Sequence, residues 1–82
     1  MVNESGVIII VNLTELRVEI LRKNISEKKL AKEIGISRQS LSYKLNNKRH
    51  LTLDNIEQIV KVLKLSPARR DEIFFADGVD NQ

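Results

Sequence analysis

The residues most able to do chemistry in this 82-residue chain are basic, and they are concentrated in its middle. Between Arg22 and His50 there are nine lysines and arginines but only two acids, so this window has a formal charge of +7. The other residues include five bases and nine acids, and the whole chain has a net charge of +3. A basic region in an otherwise acidic protein is typical of a surface that binds a polyanion. The alternative interpretation is a solvated charged face.

Few residues are suited to any other chemistry. The chain has no cysteine, which excludes disulfides, thiolate metal sites and a thiol nucleophile. Its one histidine, His50, cannot form a histidine-rich metal site. The sequence has no glycine-rich phosphate loop, nucleophile elbow or acid–base pair, and its three aromatic residues are few for an RNA surface built on base stacking. We therefore expect no enzymatic activity, no cofactor or metal, and no small-molecule ligand.

Five helices are predicted by apolar residues that recur at helical spacing from Leu13 onward. The hydroxyl side chains suited to cap the second to fifth helices are Ser26, Ser37, Thr52 and Ser66. Pro67 fits the first position of the fifth helix. We expect this helix to end at residues 77–78, with Ile73 and Phe74 facing inward. The connections are only a few residues long, as a compact helical bundle requires.

The second and third helices lie in the most informative segment, from Ser26 to Lys48. We expect a tight turn between them. The turn is placed at Gly35 because glycine lets the chain reverse without a Cβ clash. Ala31 is small enough for the next helix to cross closely over it. Ile36 follows the turn and fills the wedge between the two helices. The apolar residues that seat this pair on the other helices are Leu30, Ile34 and Leu41. These features together are typical of a helix-turn-helix unit.

The segment resembles the phage-repressor and Cro-like helix-turn-helix family of XRE type. The family pattern is Leu-Ala, three variable residues, Gly-Ile-Ser, three more variable residues and an aliphatic residue often followed by Ser. Here it runs LAKEIGISRQSLS over residues 30–42. The resemblance extends from about Leu13 to Leu65, and more weakly residues 70–79 resemble the endings of short prophage-encoded regulators. It implies an all-α, five-helix, λ-repressor-like DNA-binding domain with a short N-terminal extended segment that could be a β-strand.

The resemblance also implies a function: a sequence-specific transcriptional regulator, repressor or Cro-like and of phage or prophage origin. Its recognition helix, residues 37–46, would enter the major groove of an operator with its N-terminal residues at the base edges. Arg38 and Gln39 hold those places, and their side chains can pair with guanine and adenine respectively. Ser42 and Tyr43 follow one turn later. Arg38 and Gln39 could instead contact phosphate or only solvent, and Tyr43 could contact phosphate or pack over the edge of the core.

Phosphate contacts are implied for residues that flank the groove. These residues are Lys28, Lys29, Ser37, Ser40, Asn47, Lys48 and Arg49. Such contacts position a protein on DNA without specifying a base. For Ser37 the role of helix cap is the stronger expectation, although its hydroxyl could also reach a phosphate.

Two residues depart from the family pattern. Glu27 occupies the place of a glutamine that touches a phosphate, and its charge would repel phosphate unless the side chain points aside. An acid in the first turn of a helix is nevertheless favourable to the helix dipole. Lys44 occupies a place where the family prefers an apolar residue, and Leu45 follows it. This predicts a rotated or shortened last turn of the recognition helix.

The apolar run from Val7 to Val11 is the least determined part of the chain. Because β-branched residues exposed on their own favour aggregation, something should cover them. The alternatives are pairing with the same strand of a second subunit, packing on the helices of its own chain, or a third case in which the run is flexible or the natural start lies further on. We expect residues 1–12 to form an extended arm, 13–78 the helix-turn-helix domain and 79–82 a tail.

The same run does not predict a membrane protein. Five apolar residues are too few for a bilayer, which needs about 20. The flank from Met1 to Gly6 has no lysine or arginine, unlike a signal peptide. We therefore expect a cytoplasmic protein.

The expected partner is double-stranded DNA. A homodimer would bind a palindromic operator with half-sites about one helical turn apart. The alternative is a protein-interaction module on the same fold, such as an antitoxin or the partner of an anti-repressor. In that case the apolar N-terminal run and the Phe74–Phe75 pair would contact another protein.

Overall fold

The computed structural model describes the backbone of residues 8–77 and the side chains of residues 10–74. Its elements are β1 (Ile8–Val11), α1 (Leu13–Arg22), α2 (Glu27–Ile34), α3 (Arg38–Leu45), α4 (Leu53–Val62), α5 (Pro67–Ile73) and β2 (Phe74–Asp77). The predicted all-α, five-helix class with an N-terminal extended segment is confirmed. Expectations for Val7, Gly78 and the tail 79–82 fall outside the described residues, and the division into arm, domain and tail stays a prediction.

Side-chain caps begin all five helices. In each case a side-chain oxygen accepts a hydrogen bond from the backbone N–H three residues further on. The capping residues are Asn12, Ser26, Ser37, Thr52 and Ser66. The four predicted hydroxyl caps are therefore confirmed, and Asn12 is a fifth cap that the sequence pattern did not single out.

The core forms where the apolar faces of the helices meet. The largest fully buried side chains are Leu16, Leu30, Leu41, Ile59, Leu63 and Ile73, which come from α1, α2, α3, α4 and α5 and the residue after α4. Ala31 is also buried, and Ile36 packs against this core from the turn between α2 and α3. Leu30, Ile34 and Leu41, which were predicted to seat the helix pair, are all buried.

Gly35 ends α2 in the left-handed conformation that the sequence predicts. Its φ is +82°, and the N–H of Ile36 donates to the carbonyl of Ala31 at 3.0 Å. A Cβ atom at this position would meet nothing within 4 Å. Glycine is therefore favoured by the backbone conformation rather than by lack of space.

The fifth helix is shorter than predicted. It ends at Ile73, and Phe74–Asp77 forms a strand that pairs antiparallel with β1, in a register that places Val11 opposite Phe74. The prediction of a helix to residues 77–78 was wrong, because aromatic residues favour strands and the backbone polar groups of β1 need hydrogen-bond partners. The inward position of Ile73 and Phe74 is confirmed, since both are buried.

The pairing of β1 with β2 shows in part how the N-terminal apolar run is covered. Residues 8–11 are held by their own chain, mainly through pairing with β2, which none of the alternatives named. Val11 also packs against the core, and the N–H of Asn12 donates to the carbonyl of Ile73 at 2.8 Å. Pairing with a second subunit stays a prediction.

Arg69 fastens α5 to α1. Its guanidinium donates to the carboxylates of Glu19 at 2.6 Å, Glu15 at 2.7 Å and Glu72 at 3.1 Å. These hydrogen bonds raise the pKa of Arg69 above its ordinary value, and the one with Glu19 has the largest effect. The Glu19 side chain is only 3% exposed, so this network supplies the partner that a buried carboxylate requires. The network therefore fixes the helix from which β2 emerges.

None of the helices between residues 8 and 77 has the length and the apolar character that crossing a membrane requires.

Candidate nucleic-acid interface

One side of α3 is fixed in the core and the opposite side is open. Leu41 and Leu45 are buried, while Arg38, Gln39 and Tyr43 are exposed. At 100° per residue, positions 39 and 43 share a face that lies opposite positions 41 and 45. Three of the four predicted base contacts are thus accessible, and the structure brings two of them together on one face of the helix.

Tyr43 links the open face of α3 to the loop that follows it. The Nε2 of Gln39 donates to the phenolic oxygen of Tyr43 at 2.9 Å. The guanidinium carbon of Arg49 lies 5.7 Å from the centre of the Tyr43 ring, within the range of a cation–π contact. With 39% of its surface exposed, Tyr43 is a surface residue and does not close the core.

Ser42, the fourth predicted base contact, is half-buried and already engaged. Its carbonyl accepts a hydrogen bond from Nδ2 of Asn46 at 2.9 Å, and the same nitrogen lies 3.4 Å from its hydroxyl. Asn46 also ends α3. The predicted recognition helix over residues 37–46 therefore corresponds to α3 with its two caps.

The predicted phosphate contacts lie at the beginning of α2 and around the two ends of α3. Those with exposed side chains are Lys28, Lys29, Ser37, Asn47, Lys48 and Arg49. Ser40 is half-buried, and its N–H donates to the hydroxyl of Ser37 at 3.0 Å. Lys29 is 3.6 Å from the carboxylate of Glu33, a surface pair of little strength. The ammonium of Lys29 therefore remains accessible to an anion.

The loop after α3 presents its cations on a defined backbone. Asn47 adopts a left-handed φ of 60°, a conformation that asparagine tolerates better than most residues. The N–H of Lys48 then donates to the carbonyl of Tyr43 at 2.8 Å. Lys48 and Arg49 therefore start from a loop that is hydrogen-bonded to the recognition helix.

The two departures from the family pattern each have a structural counterpart. Glu27 faces α1, with one carboxylate oxygen 3.8 Å from Nη1 of Arg17. Lys44 is half-buried, and its ammonium donates to the carbonyl of His50 at 3.0 Å. Leu45 takes the buried position beside it. The helix extends to Leu45, so its last turn is not shortened.

Arg17 is a residue of this region that the sequence pattern did not indicate. Its Nη2 donates to the carbonyl of Leu45 at 3.0 Å and to Oδ1 of Asn46 at 2.9 Å. It stands 28 residues before Leu45, outside the basic window. Helical spacing relates only residues three or four apart, so no pattern in the sequence could have connected α1 to the end of α3.

The described part of the chain holds no cluster of three or more histidine, aspartate or glutamate side chains that could bind a metal ion. The groups that this surface exposes include the cations of Arg38, Lys48 and Arg49 and the amide of Gln39. These groups can donate hydrogen bonds to phosphate oxygens and to base edges.

Comparison with known proteins identifies the family to which the chain belongs. No curated protein matches the chain. A family model described as Helix-turn-helix matches residues 14–69, which is more than half of the chain. The chain belongs to this helix-turn-helix family, whose XRE type its sequence resembles. The family consists of DNA-binding regulators that are typically not enzymes, and a DNA-binding regulator is therefore the general class of this protein.

Proposed function

We propose that this protein is a sequence-specific transcriptional regulator of repressor or Cro type, which binds an operator through residues 37–46. The observation that carries the proposal is the two-sided character of α3. Leu41 and Leu45 bury one side, and the other side presents polar groups beside a basic loop. In this proposal repression follows from occupancy of the operator by this domain. A phage or prophage origin rests on the resemblance of the sequence.

Arg38 and Gln39 are the proposed base-reading residues. Arg38 is exposed and can pair bidentately with guanine. The Nε2 of Gln39 has two hydrogens, of which one is donated to Tyr43. The second hydrogen and the Oε1 atom remain for the N7 and N6 groups of adenine. In this proposal Tyr43 orients Gln39 as well as reaching the DNA.

The phosphate contacts are proposed to come from cations and hydroxyls around this helix. Lys28 and Lys29 would hold the backbone on one side, and Asn47, Lys48 and Arg49 on the other. They would supply much of the affinity through the release of counterions, so binding should weaken as the salt concentration rises.

A homodimer on a palindromic operator is the proposed assembly. Within residues 8–77 the sheet has only β1 and β2, so each strand has an outer edge to which a second copy could add its own strand. Ile10 of β1 is 41% exposed. On a full palindrome we expect two protein chains per duplex by analytical ultracentrifugation, and one chain on a half-site. A single chain on the full palindrome would contradict the dimer.

The deciding experiment is selection from a randomised duplex library, followed by fluorescence-anisotropy titrations of the selected and a random duplex at two salt concentrations. We expect the selected duplex to bind at least ~1,000-fold more tightly than the random one. Arg38→Ala should cost about 1–3 kcal/mol on the selected duplex and relax the preference at one base pair. The control Lys61→Ala removes a cation from α4, outside the proposed interface. If the library yields no enriched sequence, the proposed function is wrong.

The alternative function, a protein-interaction module such as an antitoxin or an anti-repressor partner, is favoured by a different observation. Leu21 on α1 exposes 79% of its surface, which is unusual for a large apolar side chain and typical of a contact surface when it is part of a patch. Two results together would support this alternative: the selection enriches no duplex, and the Leu21→Lys substitution abolishes binding of a protein partner.

A further inference from the structure

Arg17 lies where three helices meet. From α1, its Nη2 contacts the carbonyl of Leu45 and Oδ1 of Asn46 at the end of α3, at 3.0 and 2.9 Å. Its Nη1 lies 3.8 Å from a carboxylate oxygen of Glu27 in the first turn of α2. One side chain therefore touches both helices of the helix-turn-helix unit.

The contact at the end of α3 is the stronger of the two in physical terms. The last carbonyls of a helix have no intrahelical partner, and a cation near them interacts favourably with the helix dipole. A guanidinium presents several donors in a fixed plane, so it can hold a backbone carbonyl and a side-chain amide at once. Arg17 thereby ties the end of α3 to α1.

The orientation of α3 depends on such contacts. The helix has eight residues, which is too short to be stable alone. Its beginning is fixed by the Ser37 cap and its end by the burial of Leu45 and by Arg17. The two ends are about 10 Å apart at 1.5 Å per residue, so a displacement at the end would tilt the helix and move Tyr43.

The ion pair between Arg17 and Glu27 is weaker, but it orients the Glu27 carboxylate. Both side chains are partly exposed, 42% for Arg17 and 35% for Glu27, so water screens their attraction. The contact nevertheless turns the carboxylate toward α1 and places a positive charge next to it. At a position where DNA phosphate would approach the beginning of α2, this reduces the repulsion that Glu27 would otherwise exert.

We propose that Arg17 is a positioning residue of the DNA interface: it sets the angle of α3 against α2 and keeps the Glu27 carboxylate aside. The proposal rests on the proposed function, since it concerns the same interface. It predicts that the loss of Arg17 lowers the discrimination between DNA sequences, whereas the loss of a phosphate contact weakens binding to all sequences alike.

The test compares four variants by the ratio of their dissociation constants for the random and the selected duplex. Arg17→Met keeps the aliphatic stem but removes every donor, and we expect this ratio to fall about tenfold. Arg17→Lys keeps the charge without the planar fork and should give an intermediate ratio. Glu27→Gln should tighten binding to both duplexes and leave the ratio unchanged. Arg22→Met, the matched control on α1, should also leave it unchanged, because Arg22 contacts Glu19.

A second measurement uses the free protein. Amide hydrogen exchange should accelerate at Asn46 and Lys48, which donate to the carbonyls of Ser42 and Tyr43, in Arg17→Met but not in Arg22→Met. The ratio of dissociation constants is insensitive to a general loss of stability, because a smaller folded fraction weakens binding to both duplexes equally.

Each outcome decides the proposal. An unchanged ratio in Arg17→Met would overturn it, because an equal loss on both duplexes is the behaviour of a phosphate contact and not of a displaced α3. If Arg17→Met does not fold, the Arg17→Lys ratio decides in the same way. If the wild-type protein prefers no duplex, the proposed function fails. The exchange rates then decide separately whether Arg17 anchors α3.

Discussion

The Nε2 of Gln39 donates to the phenolic oxygen of Tyr43 at 2.9 Å, across one turn of α3. Both side chains stand on the face opposite the buried leucines of this helix. This hydrogen bond favours one orientation of an exposed amide that would otherwise sample several rotamers. Since a base pair is distinguished by the positions of its donors and acceptors, this orientation bears on the base contact that we propose for Gln39.

Tyr43→Phe tests that relationship. The substitution keeps the ring under Arg49 but removes the acceptor for Gln39. We expect weaker discrimination at one base pair, by up to about 1 kcal/mol, with unchanged affinity for random DNA. Repeating the library selection and the anisotropy titrations with the variant would measure both quantities. An equal loss on the selected and random duplexes would instead identify the hydroxyl as a phosphate contact.

Gly35→Ala tests the turn between α2 and α3. Because a Cβ atom would meet nothing within 4 Å, the whole cost arises from the φ of +82°. We expect the free energy of unfolding to fall by about 1–2 kcal/mol, and by less for Gly35→Asn, in urea denaturation followed by circular dichroism.

The matched control for the turn is Lys64→Gly. Lys64 has a φ of +53° without being glycine, so relief of strain there opposes the entropic cost of a glycine. We expect a change of opposite sign to Gly35→Ala, or one close to zero. Equal destabilisation by both substitutions would show that their backbone conformations do not determine their stability effects.

The turn and the caps were predictable because they depend on neighbours. Ser37 meets the N–H of Ser40, three residues away, and Gly35 acts through its own φ. The buried side of α3 likewise follows from the spacing of Leu41 and Leu45. These rules are local, so one sequence suffices to apply them.

What the sequence pattern missed depends on distant residues. The short apolar run that contains Phe74 and Phe75 fits a helix or a strand equally well, and only the presence of β1 at the other end of the chain decides between them. Arg17 and Leu45 are brought together by the packing of whole helices. The roles of residues in DNA contact depend in addition on a partner that lies outside the chain.

Phe74→Ala tests the corrected end of the fold. Phe74 is 7% exposed, opposite Val11 in the strand pair, so its removal should cost about 3–5 kcal/mol of unfolding free energy. The control Leu53→Ala removes a side chain that is 48% exposed and should cost much less. In the wild-type protein, backbone nuclear Overhauser contacts between residues 10 and 75 should be observed. Helical chemical shifts over residues 74–77 would contradict the strand.

Glu19→Gln tests the network between α1 and α5. The carboxylate of Glu19 accepts hydrogen bonds from Arg69 at 2.6 Å and Arg22 at 3.2 Å. We expect the neutral amide to lower the free energy of unfolding by about 1–3 kcal/mol, since hydrogen bonds to charged groups are the stronger ones. Glu57→Gln, an exposed change on α4, should stay within about 0.5 kcal/mol. Equal effects of the two substitutions in urea denaturation would argue against the network.

Lys48→Ala tests the phosphate contacts through the salt dependence of binding. Lys48 is exposed on the loop whose backbone is hydrogen-bonded to Tyr43. We propose that its ammonium contacts a phosphate and no base. The loss of one such contact should reduce the slope of log affinity against log salt by about 1. It should weaken binding to the selected and the random duplex by the same factor. Lys61→Ala removes the same charge from α4 and should leave the slope unchanged. Both substitutions change the net charge equally, so a salt slope that falls only in Lys48→Ala would place a phosphate contact at Lys48. The same reduction of the slope in both variants would mean that net charge alone draws this protein to DNA.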